Sequence, residues 1–223
     1  MNKIILIMSI LITYGLGAQT THLHCGQVFD SASGKIKKEQ TVVVKGTLIT
    51  AITKGYSIVK SDDIRVIDLK SKTVYPGFID MHVHIESESN PKAYLNRYLL
   101  NEADVAYDAA VYAKRSLMAG FTSVRDMGGS GVNIALRNAI AKGKIPGPRI
   151  FTAGKTLAST GGHGDPTNGN KVSIQGDPGP KDGVVNSIAD ARKAVRQRYK
   201  NGADWIKITA TGGVLSVAKS GEN

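Results

Sequence analysis

The chain has 223 residues, 41% hydrophobic and 21% charged, with 25 glycines; that balance excludes a disordered or fibrous chain and supplies core for one large domain or two smaller ones. Its 29 Lys and Arg against 18 Asp and Glu give a net charge of +11. The basic residues fall in short runs (Lys35, Lys37, Lys38; Arg192, Lys193, Arg196, Arg198, Lys200) that suit a solvated turn and a solvated helix face, and no aromatic residues alternate with them as stacking platforms, so no nucleic-acid partner is expected.

Residues 1–18 read as an export leader. Lys3 gives a short positive start, Ile4 to Leu16 is mostly apolar, and Gly17-Ala18 offers small residues for cleavage before Gln19. The run is too short for a comfortable membrane span. A buried N-terminal strand or helix is the alternative. The expectation is therefore a periplasmic or secreted protein with no stable membrane anchor once the leader is removed. Cys25 is the single cysteine, which rules out an internal disulfide, and His24 in front of it argues against lipid attachment.

Residues 19–73 read as a β-rich accessory segment. Thr41 to Lys45 is β-branched and ends at Gly46, and Thr47 to Ile52 follows at once, the pattern of a hairpin. Arg65 to Leu69 is a further strand, with turns at Asp30–Gly34 and Lys60–Asp63. His22 and His24 are expected on an exposed strand face, with metal binding the minor alternative.

From residue 74 strand and helix alternate. An apolar run covers Val74 to His84, and helical spacing runs from Asp104 to Ala119 and stops at Gly120. A strand over Phe121–Arg125, a helix over Val132–Ala141 and a strand over Arg149–Ala153 come next. A helix over Ile188–Tyr199, opened by Ser187 and closed by Asn201-Gly202, precedes a strand over Trp205–Ala210. Four βα-type units in a row, the last without its helix, imply an α/β fold with a parallel sheet. Alternation alone does not choose between an open sheet and a barrel, but Gly, Asp and His crowd the loops after the strands, where function sits in such folds.

His82 and His84 stand at i and i+2 near the end of the first apolar run, so one strand face presents two imidazoles side by side. Neutral imidazole is a good ligand for zinc and related ions. Two hydrogen-bonded histidines on a half-buried strand fit the same spacing, and that alternative stays open.

Several motifs in order carry a resemblance. Val74-Tyr75-Pro76-Gly77-Phe78-Ile79-Asp80-Met81-His82-Val83-His84 resembles the opening barrel strand of the amidohydrolase superfamily, and the β segment before it resembles that family's small accessory sandwich. Gly120 to Gly128 resembles the second strand of one branch, Gly147 to Gly154 the third, with Ser159-Thr160-Gly161-Gly162-His163-Gly164 in the loop after it, and Gly202 to Ile208 the fourth. The branch is that of imidazolonepropionase-like enzymes and metal-dependent Xaa-Pro dipeptidases.

The resemblance implies the N-terminal half of a TIM-type (β/α)8 barrel, its first four βα units over 74–223, and a hydrolase of amide or peptide bonds in short peptides. His82 and His84 match the pair that binds the more buried of two divalent metal ions, zinc first among them. Lys207 matches the lysine that carbon dioxide converts to a metal-bridging carbamate; the alternative is a lysine that snorkels from a strand end. A free ammonium repels cations and a carbamate is an anionic oxygen ligand, so the modification is chemically coherent. Metals in such a site activate a water and polarise the substrate carbonyl.

His163 and Asp126 are expected near substrate or behind the metal ligands, each with a plain loop role as the alternative. Asp80 is expected to support the strand end. The family's later-strand histidines and its proton-shuttling aspartate cannot be assigned in this chain, so no catalytic residue is named and the fragment alone is expected to be inactive. The other readings are a cyclic amidase or an ester or phosphotriester hydrolase on the same scaffold, and a non-catalytic half-barrel. A homo-oligomer stays open.

Overall fold

The computed structural model describes residues 19–213; the leader expected over 1–18 lies outside the described residues. The chain divides between Pro76 and Gly77 into two compact units.

The first unit is one mixed four-stranded sheet. Its strands are β1 (Thr20–Asp30), β2 (Lys35–Lys45), β3 (Leu48–Lys54) and β4 (Ile64–Val74), in the order β3-β2-β1-β4. β2 pairs antiparallel with both β1 and β3, and β4 runs parallel to β1. The Asp30 carboxylate sets the β1–β2 turn by accepting from Ala32 N and Ser33 Oγ. Lys37 Nζ lies 2.8 Å from the same carboxylate, and these donors hold the Asp30 pKa down to about 2. Gly26 sits where the β1–β4 register shifts; a Cβ there would lie 2.0 Å from the Lys70 carbonyl oxygen, so only glycine lets the strands approach. Cys25, Val28 and Val42 form the core, and burial pushes the Cys25 thiol pKa up.

His22 and His24 depart from the exposed face expected of them. His24 is buried and His22 half-buried, and both rings bond the Ser57 hydroxyl, His22 Nδ1 at 2.6 Å and His24 Nε2 at 3.2 Å. Ser57 follows β3 in chain order, too far along the sequence for local patterning to reveal.

The second unit is α/β. Strands β5 (Phe78–Val83), β6 (Phe121–Asp126) and β7 (Arg149–Thr152) form a parallel sheet in that order. Between and after them come α1 (Ala93–Leu99), α2 (Glu102–Met118), α3 (Val132–Ala141), α4 (Val172–Gln175) and α5 (Ile188–Asn201). Gly77 opens β5 because a Cβ there would overlap the Thr122 side chain of β6. Asn101 and Asp104 form a capping box at the start of α2, Ser187 Oγ accepts from Asp190 N at the start of α5, and left-handed Gly202 closes α5. The core joins Ile85, Val124 and Ile150 on the sheet side to Ala109 and Ala113 of α2 and Leu136 of α3. The two alanines are one helical turn apart, so a smooth stripe of α2 lies on the sheet.

Two expectations need correction. The strand expected over Trp205–Ala210 is a single parallel bridge between Leu157 and Ile208, with Leu157 N donating to Lys207 O and Thr209 N to Leu157 O, each at 2.9 Å. Earlier in the same stretch Asp204 N donates to Thr152 O at 2.8 Å. The edge it pairs with turns away after β7 at left-handed Gly154 and returns only at Leu157, so no continuous ladder forms. The second correction is Arg198. Arg192, Lys193, Arg196 and Lys200 are exposed on α5 as expected, but Arg198 is only 2% exposed. It lies one turn after buried Ala194, and its Nε and Nη1 donate to the carbonyls of Lys155 and Lys181 at 2.8 and 3.3 Å.

Candidate active site

β5 delivers His82 within its last turn of pleat and His84 just beyond its end. Their ring centroids lie 5.5 Å apart with planes inclined at 60°. Asp80 Oδ1 accepts from His82 N at 2.9 Å, which fixes the strand end as expected of it. His84 Nδ1 lies 2.8 Å from the Gly128 carbonyl oxygen in the loop after β6. Lys207 is half-buried on the stretch that bridges to Leu157. Partial desolvation lowers the His82 pKa first, and the Lys207, His84 and Arg125 charges lower it further. Lys207 therefore acts electrostatically on the His82 ring although 125 positions separate them in sequence (207 − 82). Arg125 Nε donates to Met81 O at 2.7 Å and its guanidinium lies 4.6 Å from the Trp205 ring centroid, which braces β5 against the Lys207 stretch.

Two imidazoles on one strand end suit a divalent cation in donor type, and Lys207 lies within electrostatic reach of His82. A tetrahedral zinc takes four ligands. Among the described residues no group of three or more His, Cys, Asp and Glu side chains converges to hold an ion. The donor set fits part of a metal centre.

Asp126 has no face open to substrate. It is fully buried at the end of β6, where its carboxylate accepts from Thr152 Oγ1 at 2.8 Å, Asn133 Nδ2 at 2.6 Å and Ile85 N at 3.2 Å. Burial raises its pKa against the pull of these bonds. It ties the ends of β5, β6 and β7 to α3. His163 is exposed in the loop after β7, and its ring lies against Gly213: a Cβ on that glycine would fall 2.3 Å from His163 Nδ1.

Glu86 carries a role that sequence reading missed. Its carboxylate accepts from Ser130 N and Asn133 N, so it closes the N-terminus of α3 from the loop after β5. Gly129 makes room, since a Cβ there would lie 2.6 Å from the Glu86 carboxyl carbon. A cleft of about 570 Å³, lined among others by Leu157, Val185, Val195, Ile206 and Ile208, follows the edge of the Lys207 stretch and includes neither histidine of the pair.

Known proteins resemble this chain over most of its length. A crystal structure of a Xaa-Pro dipeptidase with bound methionine in the active site superposes with a TM-score of 0.83 at 46% identity, over 92% of this chain and 50% of that one. A prolidase complexed with N-methylphosphonate-L-proline gives a TM-score of 0.75 at 33% identity, over 91% of this chain and 50% of the other. Ochratoxinase from Aspergillus niger is 32% identical over 157 residues, covering 63% of this chain and 32% of its own. The chain thus spans about half the length of these solved structures and about a third of this curated relative. The profile of the amidohydrolase family matches residues 73–222, from the last residues of β4 through the histidine pair and Lys207, and the chain belongs to that family.

Proposed function

We propose that the protein to which this chain contributes hydrolyses carbon–nitrogen bonds of short peptides at a metal centre, in which His82, His84 and Lys207, the last as a carbamate formed with carbon dioxide, would be the residues of this chain that hold divalent ions. The observation that carries this reading is the pairing of the two imidazoles at the end of β5 with the Lys207 charge within reach of His82. Zinc suits the nitrogen donors, and a bound metal supplies Lewis acidity and an acidified water. The chain's own residues orient this centre: Asp80 fixes the His82 backbone, the Asp126 cluster locks the strand ends, and exposed His163 contacts the substrate from the loop after β7.

The β5-β6-β7 sheet and the Lys207 stretch form the first half of a barrel. Exposed Ile206, Ile208 and Val195 along the cleft support a further element against that edge. The accessory sheet is part of a composite sandwich, and the protein is exported. Two relatives, a Xaa-Pro dipeptidase and a prolidase, favour dipeptides as the substrate class.

The test is a substrate panel of dipeptides with C-terminal proline or methionine, N-acyl amino acids, lactams and esters, offered to the full-length protein. Dipeptides should give the highest kcat/KM. A preference for lactams or esters would overturn the peptide reading and favour the sibling chemistries.

A further inference from the structure

We infer that Gly128 and Thr156 are positioning residues for His84, acting together to set which ring nitrogen it presents; this rests on the proposed metal centre. A carbonyl oxygen can only accept a hydrogen bond, so the contact between His84 Nδ1 and Gly128 O places the proton on Nδ1. In the neutral ring Nε2 then holds the lone pair, the form in which imidazole binds a metal.

That selection works only if the Gly128 carbonyl is held in place: Thr156 holds the peptide that leads into Gly128, and Gly129 N, in the same peptide as the Gly128 carbonyl, donates to Gly154 O. Thr156 Oγ1 donates to Met127 O at 3.2 Å, the carbonyl immediately before Gly128. Gly128 has φ +148, and a Cβ built on it would fall 2.3 Å from Thr156 Oγ1 and 3.8 Å from His84 Cε1. Glycine is therefore required on two grounds, backbone conformation and space. The flanks are pinned as well: Met127 N donates to Val83 O and Gly129 N to Gly154 O, each at 2.9 Å, and Glu86 holds Ser130 N. Thr156 belongs to the stretch after β7 that buried Arg198 anchors through the Lys155 carbonyl. A loop two strands away thus reaches the histidine through one hydroxyl and the two peptides that meet at Gly128.

The test uses the full-length protein, wild type and the Thr156→Val and Thr156→Ser variants. The 15N resonances of the His84 ring in metal-free protein read the tautomer, and a zinc titration reads affinity. Wild type should show the Nδ1–H form. Thr156→Val, which loses the bond and sets a methyl against Gly128, should weaken zinc binding by about tenfold, and Thr156→Ser should restore most of it. A purely structural role would lower the unfolding midpoint of Thr156→Val and leave affinity unchanged. An Nε2–H tautomer in wild type, or unchanged affinity in Thr156→Val, overturns the inference alone; a wild-type protein that takes up no divalent ion overturns the metal-centre reading and this one with it.

Discussion

Asn133 Nδ2 donates to Asp126 Oδ2 at 2.6 Å, and this bond joins the first turn of α3 to the end of β6. Both residues are fully buried, and Thr152 and Ile85 supply the other donors to the same carboxylate. Asp126→Asn has the same shape but turns one acceptor into a donor, which then faces either Ile85 N or the Thr152–Asn133 pair. It should cost about 1–3 kcal/mol, the penalty for a buried polar group left unpaired. Urea unfolding of wild type and variant measures it; a change under about 0.5 kcal/mol, the surface-substitution range, would contradict the saturated-carboxylate account.

The same carboxylate sets a pH dependence. Burial raises its folded pKa above the unfolded 3.8. The folded state then binds the proton more readily, so Asp126 contributes stability below pH 3.8 and loses it as pH rises through the folded pKa. Asp126→Asn should remove this falling slope from the acid side of the stability curve. A native Asp126 pKa below 3.8, read by carboxyl NMR, would reverse the sign.

Glu86 caps α3 from outside the helix. Glu86→Ala leaves Ser130 N and Asn133 N without their carboxylate and should destabilise by about 0.5–2 kcal/mol, as loss of a cap does. Glu86→Gln keeps one acceptor oxygen and should lose less. Hydrogen exchange in the first turn of α3 locates the effect; unchanged protection there in Glu86→Ala would rule out the cap.

Arg198 donates to two carbonyls, those of Lys155 and Lys181, from two different nitrogens of one guanidinium. Arg198→Lys puts a single ammonium where a fork stood, and the Lys155 or Lys181 carbonyl loses its partner. The loss should be about 1–3 kcal/mol, with exchange rising across 177–185. Equal stability of Arg198→Lys and wild type would mean that the guanidinium only fills space.

What the sequence disclosed followed the range of the interactions. Val132–Ala141 was readable in full because periodicity and caps are local, and the ends of α2 and α5 were readable to within two residues. Arg198 sat in a run of basic residues and read as solvated, because nothing within one helical turn announces the carbonyls 17 and 43 positions away. Asp126 looked like a loop carboxylate until Thr152 came into view 26 residues on. The stretch around Lys207 has strand composition, yet its pairing depends on where the chain after β7 turns at Gly154. Of the candidate site, the histidine pair was visible from strand alternation, whereas the hold on His84 is a peptide carbonyl, which has no side-chain signature.

The most direct test of the metal centre is the ion content of the full-length protein purified without chelator, by inductively coupled plasma mass spectrometry, for wild type and for the His82→Asn, His84→Asn double variant. The account predicts two divalent ions per wild-type chain and loss of at least one in a variant that still folds. A wild-type chain without bound metal, or a folded double variant that keeps both ions, would contradict it.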